Sequence, residues 1–225
     1  MSTNTITLNK GAGTGGADGI WCGYATSATI NNNTISDFIT AGFSFAISND
    51  IVGTTGSIYL NKVYNISTSG ATSVSYGIYQ GSTLSTIASS NTIYNNLVGN
   101  ITAPSSTLAN AVYGIYTTGI ATTIYNVYYN TVYLSGTGGI GFGSAAFYSN
   151  TATTAKLIDN IFDNECTPSG TGKVIAYQRG NTTLTSYDAA SNNNDFYAGT
   201  PSASNLIFYD GTNSDQTLAA YQTRV

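Results

Sequence analysis

Histidine is absent from this 225-residue chain, and charge of either sign is scarce: Lys and Arg number six, Asp and Glu ten, together 7% of residues. Without imidazole, the commonest general base and metal ligand is unavailable to any chemistry proposed here. A net charge of −4 with its six cations scattered offers no basic stripe, so nucleic acid and anionic membrane are poor partners. There is no run of eighteen apolar residues and no charged-then-apolar N-terminal segment, so neither a membrane-spanning helix nor a signal peptide is visible. Prolines are limited to Pro104, Pro168 and Pro201, and cysteines to Cys22 and Cys166.

What is present is Asn, Thr, Ser and Gly around short runs of Ile, Val, Leu, Tyr and Phe, the composition of strands and turns rather than helices. An Asn followed two residues later by a large apolar residue returns as Asn33-Thr34-Ile35, Asn61-Lys62-Val63, Asn91-Thr92-Ile93, Asn130-Thr131-Val132, Asn160-Ile161-Phe162 and Asn194-Asp195-Phe196. The steps of 28, 30, 39, 30 and 34 residues are those of a solenoid whose loops vary while its strands do not. A second row reads small, apolar, aromatic: Gly19-Ile20-Trp21, Ala46-Ile47-Ser48, Gly77-Ile78-Tyr79, Gly114-Ile115-Tyr116, Ala146-Phe147-Tyr148, Ile175-Ala176-Tyr177 and Ile207-Phe208-Tyr209. A third row, three residues ahead of each Asn, comprises Ile30, Ile58, Ala88, Val127, Leu157 and Ser191.

Three short strands per repeat make a coil, and no coil can bury its apolar face without neighbours. The expectation is therefore one all-β domain over residues 1–225, a parallel β-helix of about seven coils, with the Asn residues inward at a corner and hydrogen-bonded to their copies. A further polar row, Asp37, Asn65, Asn95 and Asn164, marks another corner. All three prolines fall between proposed strands, as a fully used ladder of N–H groups requires. The two cysteines lie about five coils apart, roughly 24 Å at ~4.8 Å per coil, so both are expected as free thiols. Ser214 to Gln222 reads as a short capping helix with a Ser or Asp N-cap. The N-terminal end has no such cap, and Thr5-Ile6-Thr7-Leu8 begins the pattern almost at once. A piece of a longer protein, continued there by another domain or subunit, is expected.

The recurrent Asn-Thr-Ile-Tyr and Gly-Ile-Tyr segments, with the closing Asp215-Gln216-Thr217-Leu218-Ala219-Ala220-Tyr221-Gln222, resemble the right-handed parallel β-helix domains of large secreted or cell-surface proteins of Bacteroidetes-type bacteria, within the pectate-lyase-like superfamily. The resemblance spans nearly the whole chain. It implies a right-handed coil and an extracellular location, and leaves activity open among lyases, hydrolases, adhesins and stalks.

Polysaccharide hydrolases of that superfamily use clustered carboxylates, and its lyases a basic residue with calcium-binding acids. The candidates here are Asp159, Asp163 and Glu165 of the sixth coil, with Lys173 and Arg179 one strand later and Asp195 one coil on. Asp163 is expected to face solvent between Tyr133 and Tyr197. Solvated surface carboxylates, with Arg179 paired to Asp210, are the simpler reading, and no cofactor or metal motif is identified. The loop Gly11-Ala12-Gly13-Thr14-Gly15-Gly16 lacks the Lys and the helix of a phosphate loop and reads as a turn.

The aromatic pattern is fuller. Tyr64, Tyr94 and Tyr133 form one outward row; Trp21, Tyr79, Tyr116, Tyr148, Tyr177 and Tyr209 form another, broken at Ser48. Such rows stabilise parallel strands by like-on-like packing, and they also suit contact with a polysaccharide or cell-surface glycan. A structural or adhesive segment is the expected role, with a polysaccharide lyase or hydrolase as the alternative.

Overall fold

The computed structural model describes residues 4–9, 15–82, 86–150 and 153–225; residues 11–14 of the turn read at residues 11–16 lie outside the described residues. The chain winds into a parallel β-solenoid of about six turns, one fewer than the seven coils expected, because the seven strands of one face are joined by six steps. That face, face one, stacks Thr5–Asn9, Thr34–Thr40, Lys62–Thr68, Leu97–Thr102, Thr131–Gly136, Ile161–Cys166 and Asp195–Tyr197. Two long strands, Ala17–Asn31 and Ser44–Tyr59, bend to serve both other faces. Their first halves continue on face two through Ser75–Ser82, Val112–Gly119, Ser144–Ser149, Val174–Arg179 and Asn205–Tyr209. Their second halves continue on face three through Ser89–Tyr94, Thr123–Tyr128 and Thr154–Ile158.

Each face sends a large apolar row into the shared core, and face one adds a second, Phe38, Ile66 and Ile101. Face one contributes Ile35, Val63, Val98, Val132 and Phe162 in register, and face two Ile20, Ile47, Ile78, Ile115, Phe147, Tyr177 and Phe208. Face three contributes Ile30, Ile58, Ile93, Val127 and Leu157. The small residues of face two point at face one. A Cβ on Gly19 would lie 2.8 Å from the Ile35 side chain, and one on Gly77 2.5 Å from that of Val98, so a larger residue would force the two sheets apart.

The asparagine ladder is present, with one member corrected. It runs Asn4, Asn33, Asn61, Asn96, Asn130, Asn160, Asn194, at separations of 29, 28, 35, 34, 30 and 34 residues. Asn91 is not in it: it lies on face three beside Gly56 and Tyr125. From Asn33 on, each ladder oxygen accepts the backbone N–H and a side-chain N–H of the Asn one coil earlier, as Asn96 Oδ1 does from Asn61 at 3.1 and 3.0 Å. The other Nδ2 proton reaches back to a carbonyl of face three, that of Ile58 for Asn96 and Ile93 for Asn130. Moving the anchor from Asn91 to Asn96 also replaces Ala88 by Ile93 in the third row. The left-handed residue at the corner is not the Asn but its predecessor: Asn32, Leu60, Asn95, Tyr129, Asp159 and Asn193 all have φ between 52 and 56°. Leu60 and Tyr129 are poor choices for that region, and the ladder bonds that follow hold them there.

The second polar corner is Asp37, Asn65 and Asn100, bonded in sequence at 3.0 and 2.7 Å and again left-handed. Asn95 belongs to the first corner, and Asn164 is interior: fully buried, it accepts from Ser144 Oγ and donates to the Ile175 carbonyl, tying face one to face two. Towards the C-terminal end the core turns aromatic, and the helix Leu218–Arg224 lies over it with Tyr221 packed on Phe196, Phe208 and Tyr177. The N-cap is Thr217, not Ser214 or Asp215, which instead form a two-residue antiparallel strand on Asn205–Tyr209. Cys22 and Cys166 are free.

Candidate functional site

The outer side of face two carries two aromatic rows side by side. Because the small residue and its apolar successor both turn inward, the residues flanking the pair both turn outward. Phe45, Tyr76 and Tyr113 therefore form a row beside Ser48, Tyr79, Tyr116 and Tyr148. Within a row the rings lie parallel at the strand spacing: Phe45–Tyr76 at 4.4 Å, Tyr76–Tyr113 at 5.2 Å, Tyr79–Tyr116 at 5.4 Å and Tyr116–Tyr148 at 4.5 Å, with planes within 15°. Between rows they meet edge to face, as in Tyr76–Tyr116 at 5.5 Å and 89° and Tyr113–Tyr116 at 5.0 Å and 77°. Both are the favoured quadrupole arrangements, and together they make a herringbone.

This packing covers the rings with one another. Tyr113 retains only 6% of its accessible surface although it stands on an outer face. Burial pushes the hydroxyls of Tyr76 and Tyr79 up to about 12, helped by the neighbouring Tyr148 for the first and by Asp50 and Tyr76 for the second. Tyr113 and Tyr116 are raised further by the same cause. An interior ring of a stacked row presents its edge and hydroxyl to solvent rather than its face. Free aromatic faces belong to the ends of the array: Trp21, 58% exposed with only Ser48 next to it in its row, and Phe43, 51% exposed. A groove of about 480 Å³ runs between Phe43, Phe45, Val74 and Tyr76.

The row as read from the sequence shifts in one coil. Tyr177 is inward and fully buried, its hydroxyl bonded to Ser149 and Arg179, and Gln178 takes the outward place between Tyr148 and Tyr209. The signal for the correct register was Ala176, which matches the small residue Ala146; a slip of one residue reverses every side chain. Phe45, Tyr76 and Tyr113, unassigned from the sequence, were legible as aromatics three residues ahead of the second row.

The other expected row does not form. On face one Tyr64 and Tyr133 flank Gly99, while Tyr94 stands on face three, stacked on Tyr59 at 4.6 Å. Asp163 does lie between Tyr133 and Tyr197. Its carboxyl is raised above the usual range by burial first, then by the charges of Glu165 and Asp195. Glu165 accepts a 2.8 Å hydrogen bond from the Tyr133 hydroxyl, and Asp159 sits at the left-handed corner. Arg179 is directed elsewhere: 1% exposed, it donates to Tyr177, the Thr183 carbonyl and Ser186. The expected Arg179–Asp210 pair is replaced by turn contacts of Asp210 with Thr212 and Asn213, and the ion pair seen among the described residues is Arg224–Asp215 at 2.6 Å.

Among the described residues no three Asp, Glu, His or Cys side chains come together in a way that could hold a metal ion, and no helix is long and apolar enough to cross a membrane. No family model, curated protein or solved structure matches the chain.

Proposed function

We propose that the chain is a non-catalytic structural and adhesive segment of a secreted or cell-surface bacterial protein, and that face two is where it contacts glycan. The supporting observation is the herringbone of Phe45, Tyr76, Tyr79, Tyr113, Tyr116 and Tyr148, a rigid aromatic array on an outer face with a groove beside it. Tyrosine hydroxyls and ring edges along the array supply hydrogen bonds and apolar contact at little cost in side-chain entropy, while Trp21 and Phe43 offer whole ring faces. The resemblance of the Asn-Thr-Ile-Tyr and Gly-Ile-Tyr segments to those of pectate-lyase-like β-helices on bacterial surfaces supports the same reading.

A glycan array tests this, with the intact chain beside a Trp21→Ala variant and a combined Tyr79→Ser, Tyr116→Ser, Tyr148→Ser variant. Binding that both variants lose is the expected result; absence of binding by the intact chain removes the glycan contact and leaves the array as strand packing. The competing reading, a polysaccharide lyase or hydrolase, has the raised Asp163 carboxyl beside Glu165 in its favour. Turnover of any bound polysaccharide that Asp163→Asn abolishes would replace the non-catalytic reading.

A further inference from the structure

At the C-terminal end of the aromatic face, the row Tyr79, Tyr116, Tyr148 continues into Gln178 and Tyr209. Here the surface opens into a small recess of about 190 Å³, lined by Gln178 and Tyr209 together with Lys173, Ile175, Ala109 and Asn110. Drug-sized pockets span about 300–1,000 Å³, so this one has room for a substituent or one ring edge rather than an oligosaccharide.

The recess has an unusual chemical inventory. Gln178 is 7% exposed, and its Oε1 is buried with no hydrogen-bond partner, an acceptor that a native interior rarely leaves unused. Lys173 is held by the Ala203 carbonyl at 3.1 Å and by the Tyr209 ring at 5.3 Å from its centroid. An ammonium has three protons, so one bond to Ala203 leaves two for a ligand. Ile175, 1% exposed, and Ala109 supply apolar wall between these polar groups.

We propose that this recess binds the acetamido group of an N-acetylated hexosamine. A turn of the Gln178 side chain that brings its covered Oε1 to the recess lets the amide N–H satisfy it, while the amide oxygen accepts from Lys173 Nζ and the methyl group rests on the exposed Ala109. The acetamido group carries donor, acceptor and methyl together, as the recess does. An anionic sugar would satisfy Lys173 but offers no proton from its charged group to the buried Gln178 oxygen. The assignment rests on the reading of face two as a glycan platform and names the substituent that platform selects.

The test is calorimetry and saturation-transfer NMR on the intact chain with N-acetylglucosamine, glucosamine, glucose and glucuronate, each also as a short oligomer. N-acetylglucosamine should bind best, and Gln178→Leu should weaken it roughly tenfold, the value of one buried hydrogen bond. Lys173→Met, at a partly exposed position, should weaken it while leaving the melting temperature unchanged, which guards against misfolding of the Gln178 variant. Equal binding of glucose and N-acetylglucosamine, preference for glucuronate, or unchanged affinity in both variants overturns the proposal. Oligomers that bind and depend on Tyr79, Tyr116 and Tyr148 but ignore Gln178 would overturn the recess alone. No binding of any saccharide overturns both readings.

Discussion

Asn96 shows what one side chain does in this fold. Its oxygen takes two N–H groups from Asn61, and its Nδ2 gives one proton to Asn130 and one to the Ile58 carbonyl. Asn96→Ala would strand buried partners on both neighbouring coils, at a cost of about 1–3 kcal/mol. For a domain of this size that lowers the melting temperature by about 2–4 °C per kcal/mol. Asn91, equally buried, donates to Ser89 Oγ and leaves its own oxygen unpartnered, so Asn91→Ala should cost less, about 1 kcal/mol or under. Thermal melts of the two variants side by side check the assignment, and a larger drop for Asn91→Ala would contradict it. The sequence left these two residues ambiguous because Asn91-Thr92-Ile93 and Asn96-Leu97-Val98 both fit the motif. The decisive signal lay further on: Asn65 and Ile66 follow Asn61 as Asn100 and Ile101 follow Asn96, at the same four and five positions. The start of the motif alone occurs twice and cannot separate the two.

At the scale of the strand and the helix, architecture was legible wherever a repeat carried its own signature and failed where a neighbour substituted for it. Stacked coils, free cysteines and prolines kept between strands followed from pattern and spacing. The Tyr177 register did not, because Ile-Ala-Tyr and Gly-Ile-Tyr look alike while the small residue occupies different places in them. Nor could the sequence show that the tyrosines of face two stack on one another, since ring orientation is decided by contact across coils. The C-terminal helix was visible by composition, but its task lies in one residue. Tyr221 is 5% exposed and closes the aromatic end of the core against Phe196, Phe208 and Tyr177, with its hydroxyl 3.1 Å from that of Tyr187. Tyr221→Ala should cost about 3–5 kcal/mol, the range for truncating a buried aromatic, and should raise hydrogen exchange first in Asn205–Tyr209 beneath it. Exchange rising uniformly across all coils would mean that the helix does not guard one end.

Over the whole molecule, charge has little part in stability: a single ion pair is seen among the described residues, and its arginine is 27% exposed. The titration that matters is that of the tyrosines. In the unfolded chain a tyrosine loses its proton near pH 10. In the native array burial holds Tyr76 and Tyr79 protonated to about 12, and keeps Tyr113, Tyr116 and Tyr148 above their ordinary value. Between about pH 10 and 12 the native state therefore binds more protons than the unfolded state, and stability falls as pH rises. Below about pH 10 both states are protonated, and the array contributes its full stabilisation. Denaturation midpoints should accordingly be flat across neutral pH and drop steeply above about pH 10, and tyrosinate absorbance should rise together with unfolding. Tyr116→Phe keeps both stacked neighbours and removes one ionisable group, so it should match the parent at neutral pH and lose stability less steeply in alkali. If the variant followed the parent curve throughout, the alkaline transition would belong to other groups, and the aromatic face would not be the cooperative unit that its packing describes.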